Sequence, residues 1–244
     1  MVRLSVNLNK IALLRNSRTT GVPDVLAFGQ RVLDAGGKGI TVHPRPDARH
    51  ITWDDVFGLA TLMQGARPAV EFNIEGRPTA DFLDRVVRIK PEQVTLVPDS
   101  PQVLTSEKGW DLTGDERAYL RPIIERLKAA GSRICLFMDP DPAAVERVKD
   151  SGADGAEIYT GAFAAAFRRG DFKRELAACI AAAGVAHRAG LVVNAGHDLN
   201  LRNLPSAMGM PGLREVSIGH EFTVDALIMG FDAAIAAYRA VLEA

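Results

Sequence analysis

Residues 123–160 read IIERLKAAGSRICLFMDPDPAAVERVKDSGADGAEIYT. Ile123, Ile124 and Leu127 recur at helical spacing, and the pattern stops at Ala130-Gly131, where glycine suits a helix end. RICLFMD follows from Arg133 as a short apolar run of β type. Asp141-Pro142 then supplies an N-cap with proline at the first helical position. The next helix ends on Asp150-Ser151-Gly152, and GAEIYT from Gly155 is another strand. The same helix–glycine–strand ending recurs at Asp34-Ala35-Gly36 and Arg188-Ala189-Gly190. Strand and helix alternate, and that alternation predicts a parallel sheet.

Working outward, further strands are LSVNLN from Leu4, GITVHP from Gly39, AVEFNIE from Ala69 and QVTLVP from Gln93. LVVNAG from Leu191 and EVSIGH from Glu215 bring the total to eight. All are rich in Val, Ile, Leu and Thr, as strands covered on both faces should be. Eight βα units predict an α/β fold closed as a (β/α)8 TIM barrel with extra helices. An open doubly wound sheet would want a G-x-G-x-x-G turn after an early strand, and there is none. No Pro/Ser/Gly linker divides the chain, so residues 1–244 are expected to form a single domain. The segments from Asp99 to Arg117 and from Phe163 to Asp171 exceed plain connections and are expected to be functional loops.

Composition narrows the function classes. In 244 residues, 29 Lys plus Arg face 30 Asp plus Glu, a net charge of −1. That balance leaves no basic footprint for nucleic acid and no pull toward an anionic membrane. No apolar run approaches the roughly 20 residues that span a bilayer, and MVRLSVNLNK does not read as a signal sequence. Cys135 and Cys179 are too few for a disulfide framework or a zinc ribbon, and they suit a reduced, cytoplasmic protein.

Barrel enzymes build their sites at the carboxyl ends of the strands. His43 ends the second strand and His50 lies just after it, His197 follows the seventh and His220 ends the eighth. Only His187, of five histidines, falls within a helix. Alternation sets Asn7 with Asn9, His43 with Arg45, and Glu71 with Asn73 and Glu75, each on one strand face. Glu157 adds a carboxyl on the sixth strand, with Arg45 as a partner it could simply pair with. Burying so many ionisable groups is costly unless each is paired or neutralised, so the cluster points to acid–base work. Arg15, Arg18, Arg45 and Arg49, with the glycines of NAGHDLN and SIGH, point to small anionic substrates held at a helix N-terminus. The two histidines of HPRPDARHI have cations between them and lack a third ligand, so no metal is expected.

NLNKIALLRNSR, GITVHPRPDARHI, QVTLVPD, EIYTG, VNAGHDLN and VSIGH stand in this order over nearly the whole chain. In them the sequence resembles the pyridoxine 5′-phosphate synthases. The resemblance implies a cytosolic homo-octamer of (β/α)8 barrels without cofactor. It implies condensation of 1-deoxy-D-xylulose 5-phosphate with 3-amino-2-oxopropyl phosphate to pyridoxine 5′-phosphate, phosphate and water. By resemblance, His43 and Glu71 are general bases, His197 is a general acid and Glu157 stabilises charged transition states. Glu75, on the same face as Glu71, competes with it for the base role. Arg45, His50 and Thr105 would hold the deoxyxylulose phosphate; Asn7, Arg18, Asp198, Gly219 and His220 would hold the other substrate. The chain departs from the family where Asn-x-Asp-His becomes Asn7-Leu8-Asn9-Lys10 and where Asp198 replaces a common glycine. Asn9 is expected to keep a contact to substrate hydroxyls, Lys10 to meet a phosphate, and the Asp198 carboxylate to point away. A phosphosugar-binding barrel without turnover and a metal-assisted aldolase or lyase are the competing readings.

Overall fold

Each of the eight expected strands forms, and together they close on themselves. A computed structural model describes residues 1–98 and 108–244. The strands are β1 (Arg3–Asn7), β2 (Gly39–Val42), β3 (Glu71–Gly76), β4 (Gln93–Leu96), β5 (Arg133–Met138), β6 (Gly155–Tyr159), β7 (Val192–Gly196) and β8 (Leu213–Ile218). They pair in parallel in sequence order, and β8 pairs back to β1, so the sheet is a closed barrel.

Among the described residues the helices around it are α1 (Asn9–Asn16), α2 (Val25–Asp34), α3 (Trp53–Leu62), α4 (Ala80–Ile89), α5 (Gly114–Ala129) and α6 (Pro142–Glu146). They continue with α7 (Val148–Ser151), α8 (Gly161–Arg169), α9 (Lys173–Arg188), α10 (Leu204–Ala207), α11 (His220–Met229) and α12 (Phe231–Glu243). No helix is long and apolar enough to cross a membrane among the described residues.

Local chemistry explains the boundaries. Gly36, Gly131, Gly152 and Gly190, the glycines expected to end helices, all have positive φ. Asp141 accepts the Ala143 N–H with Pro142 at the start of α6, as the Asp-Pro pair predicts. Thr52 and Asp55 form a capping box at α3. The stretch from Phe163 to Asp171, expected to be a loop, is instead mostly α8. Its Phe163 and Phe167 lie one turn apart and pack with Phe172, and Gly170 ends the helix with φ 82°. The C-terminal pattern splits at Gly230, so Phe231, Ile235, Tyr238 and Leu242 are buried in α12 while Ile228 is exposed on α11.

Outward-facing Val6, Ile40, Val42, Phe72, Ile74, Val94, Leu96, Ile134, Leu136 and Ile158 are buried beneath the helices. The inward face is polar. Near mid-barrel, the Ser5 and Thr41 hydroxyls lie 2.6 Å apart, Asn73 donates to Thr41, and the Thr95 hydroxyl lies 3.2 Å from Asn73 Oδ1. At the amino ends of the strands an ionic plug closes the barrel. Glu71 pairs with Arg3 (2.6 Å) and with Arg133, and Arg133 donates to Gln93 (2.7 Å). Gln93 in turn donates to Glu215 (3.1 Å).

This plug corrects the reading of Glu71 as a base in the mouth. Glu71 is the first residue of β3, 3% exposed, and both its oxygens are engaged by arginines at the end remote from the mouth. A buried ion pair that loses one partner leaves the other charge stranded. Glu71→Ala is therefore expected to lower stability by about 3–5 kcal/mol, read from the urea midpoint; a loss below about 1 kcal/mol would show the plug to be dispensable.

Candidate active site

The carboxyl ends of the strands surround a cavity of about 590 Å³. The structure brings Asn7, Asn9, Lys10, His43, Arg45, His50, Glu157, His197, Asp198, Gly219 and His220 to its walls, as the sequence reading expects. It also brings Glu75, the competitor of Glu71. Arg18 is not among the lining residues; it is exposed in the turn after α1. Thr105 lies outside the described residues.

One wall is built by β1, β2 and β3. Asn7 Oδ1 accepts the Asn9 N–H (3.0 Å), which turns the chain into α1. Asn9 Oδ1 accepts the His43 N–H (2.9 Å), so the carboxamide orients the backbone that carries the imidazole. His43 Nδ1 lies 3.9 Å from Glu75 Oε2. Asn7 Nδ2 and Ser217 Oγ approach the two oxygens of Glu75 at 3.5 and 3.4 Å.

The His43 imidazole is held neutral. Burial, reinforced by His50 and Arg45, lowers its pKa to about 3. Burial and the Arg45 and Lys10 charges lower His50 to about 4. His50 Nδ1 accepts the Ile51 N–H, leaving Nε2 to carry the ring proton. Arg15 does not serve the cavity as a cation. It pairs with Asp55 and, with Asn16, donates to the His50 carbonyl, so it braces the segment that presents Arg45 and His50.

Glu157 sits deeper, 4% exposed. Among the described residues its hydrogen-bond partner is the Thr95 hydroxyl (3.4 Å), not Arg45. A side chain on Gly196, beside it on β7, would meet Glu157 Oε1 and force the carboxyl to shift, so glycine leaves it room. Burial, and behind it the Glu215 charge, push the Glu157 carboxyl well above the ordinary carboxylate range. A carboxyl raised in this way keeps its proton near neutral pH and can donate it.

His197 and Asp198 form the turn after β7, with φ of 84° and 56°. The His197 ring packs edge-on against Tyr159 (5.0 Å between centroids) and beside Phe137 (6.1 Å). The Asp198 carboxylate, expected to point away, lies 3.5 Å from Arg168 at the end of α8. Gly219 caps α11, whose first residue is His220, so the first-turn N–H groups of a ten-residue helix lie at the cavity.

The sequence reading missed Tyr159, Phe137, Thr95 and Ser217 as lining residues. Period-two alternation was the available signal, since Tyr159 is two residues from Glu157 and Ser217 two from Gly219. Among the described residues, no three His, Cys, Asp or Glu side chains gather in a metal-binding group.

Fold and site together define a (β/α)8 barrel with a pocket of histidine, carboxyl and cationic side chains at the carboxyl ends of its strands. Residues 4–244 match the family described as "Pyridoxal phosphate biosynthesis protein PdxJ", and the chain belongs to that family. It is 47% identical over 242 residues to "Pyridoxine 5'-phosphate synthase" of Brucella anthropi, with 98% of each chain covered. It is 48% identical to the protein of the same name from Brucella suis, again over 98% of each. Among solved structures, 3-keto-L-gulonate-6-phosphate decarboxylase from Vibrio cholerae superposes with a TM-score of 0.66 at 10% identity, covering 99% of this chain and 97% of that one. Tryptophan synthase subunit alpha from Legionella pneumophila gives 0.64 at 8% identity, covering 100% and 92%. These two likenesses show the fold.

The depressed histidine pKa values have a direct readout. In the free protein the His43 and His50 imidazole resonances are expected to stay in the neutral form from pH 8 down to about 5, followed by NMR. A midpoint near the ordinary value of about 6.5 for either would overturn the account of their burial.

Proposed function

We propose that this barrel condenses 1-deoxy-D-xylulose 5-phosphate with 3-amino-2-oxopropyl phosphate, giving pyridoxine 5′-phosphate, inorganic phosphate and water. The observation that carries the reading is one cavity lined by neutral His43, Glu75, Glu157 and His197, with cationic and N–H groups beside them. Imine formation, dehydration, phosphate loss and ring closure each move protons at carbon, nitrogen or oxygen, so several acid–base groups around one pocket suit the reaction.

In this reading His43 and Glu75 are the general bases, Glu75 taking the role that the resemblance gave to Glu71. A neutral imidazole and a carboxylate both accept protons, and 3.9 Å between them lets both serve one bound molecule. His197 is the general acid. Glu157, protonated, donates a hydrogen bond where negative charge develops on oxygen. Lys10, Arg45 and His50 receive one phosphorylated substrate; Asn7, Asp198 with its N–H, Gly219 and the first turn of α11 at His220 receive the other. Asn9 acts through its hydrogen bond to the His43 backbone.

The test uses both substrates, with product followed by its ring absorbance and by released phosphate. His43→Asn and Glu75→Gln are each expected to lower kcat by about 10²–10⁴-fold in folded protein, and a near wild-type rate in either removes that residue from the set. Binding of both substrates by the wild type with no product at all would favour the binding-barrel reading.

We also propose that the chain assembles as a homo-oligomer. Val224, Leu227, Ile228 and Met229 on α11 are exposed, and Leu13 and Leu14 are exposed on α1, which packs against α11. Several large apolar side chains exposed on two neighbouring helices are costly to leave in water. Leu13 also lines the cavity, so the face adjoins the mouth. Light scattering of the eluted protein is expected to give a multiple of the 26.3 kDa chain mass, and Leu227→Glu with Ile228→Glu a smaller species. A wild-type monomer refutes the assembly; an unchanged oligomer in the double variant places its interface elsewhere.

A further inference from the structure

The turn that carries His197 is built by residues outside the cavity wall. His197 and Asp198 both adopt left-handed backbone, which side-chain-bearing residues rarely take unless their surroundings impose it. Thr160, the residue between β6 and α8, is fully buried. Its N–H donates to the Gly196 carbonyl (2.9 Å), and its hydroxyl lies 2.6 Å from both the Gly196 and His197 carbonyls. These contacts fix the peptide units on either side of the His197 Cα. On the far side of the turn, the Asn203 carboxamide donates to the Asp198 carbonyl (3.0 Å), and Asn203 is itself held by Asn200.

We propose that Thr160 is a positioning residue for the reaction: its hydroxyl holds the His197 carbonyl, and with it the left-handed turn that aims the imidazole into the cavity. The inference rests on the reading of His197 as the general acid. The hydroxyl has no part in the barrel's strand ladder, and Thr160 is absent from the cavity walls, so its effect on catalysis passes through His197.

Thr160→Val keeps the shape and the backbone N–H and removes the hydroxyl; Thr160→Ser keeps the hydroxyl. In Thr160→Val, kcat is expected to fall by about 10–100-fold with KM changed by no more than about twofold, and Thr160→Ser to recover most of the rate. In a His197→Asn background the valine variant is expected to bring no further loss, because the group it positions is gone. A kcat in Thr160→Val within about twofold of wild type, or the same fractional loss with and without His197, overturns the proposal. If Thr160→Val does not fold, Thr160→Ala takes its place; failure of both to fold overturns it too, since the hydroxyl would then hold the barrel rather than the turn. A second readout does not depend on turnover. The His197 imidazole NMR signal is expected to shift in Thr160→Val while that of His43 stays, and an unmoved His197 signal counts against the proposal. A wild-type protein without synthase activity defeats the functional reading, and the NMR comparison still decides whether Thr160 sets His197.

Discussion

A closed parallel barrel turns every second side chain of eight strands into a space too narrow for bulk water, and here those side chains are mostly polar. Each buried polar group must find a partner or give up its charge. The interior meets this demand in tiers. The arginines of the plug neutralise Glu71 at the amino ends. At mid-depth, Ser5, Thr41, Asn73 and Thr95 hydrogen-bond with one another. Toward the mouth, His43, Glu75, Glu157 and His197 line the cavity. The chemistry of the site thus follows from depth along the strand as much as from residue type.

Depth is also what the sequence left ambiguous. Strand number, order and parallel pairing were legible, because the helix–glycine–strand endings and Asp-Pro caps recur at short range and depend on local backbone geometry. The inward faces of β1, β2 and β3 were legible from alternation. Glu71 and Glu75 share one of those faces, however, and alternation cannot separate them. Four residues of strand put about 13 Å between them, enough to send one into the plug and the other to the mouth. The register that decides it, Gly39 beside Glu71 and Glu75 beside Thr95, comes from pairing with neighbouring strands. Arg15 misled for a related reason: its charge is visible in sequence, while the Asp55 that claims it is 40 residues away.

The same polar interior places two carboxyl groups of one pocket in different surroundings. Glu75 lies at the rim between Asn7, Ser217 and His43, each able to donate to or share a proton with a carboxylate. Glu157 lies deeper, with Thr95 as its hydrogen-bond partner among the described residues and the Glu215 charge below it. Rim and depth thus divide the two carboxyls between different electrostatic surroundings. Glu215 is itself raised by burial and by the Glu71 charge, so the plug's electrostatics reach the mouth through a chain of buried carboxyls.

The departures at Asn9 and Lys10 fit this division. A carboxylate at position 9 would place another negative charge beside Glu75 and His43, whereas the carboxamide keeps the acceptor that the His43 N–H requires without the charge. Lys10 adds a cation to the wall that already holds Arg45, and that charge lowers the His50 pKa. Removing a negative and adding a positive charge makes this side of the mouth more positive. The same change strengthens the field that keeps the His50 imidazole neutral. An anion beside Lys10 would oppose that field and let the His50 pKa rise again.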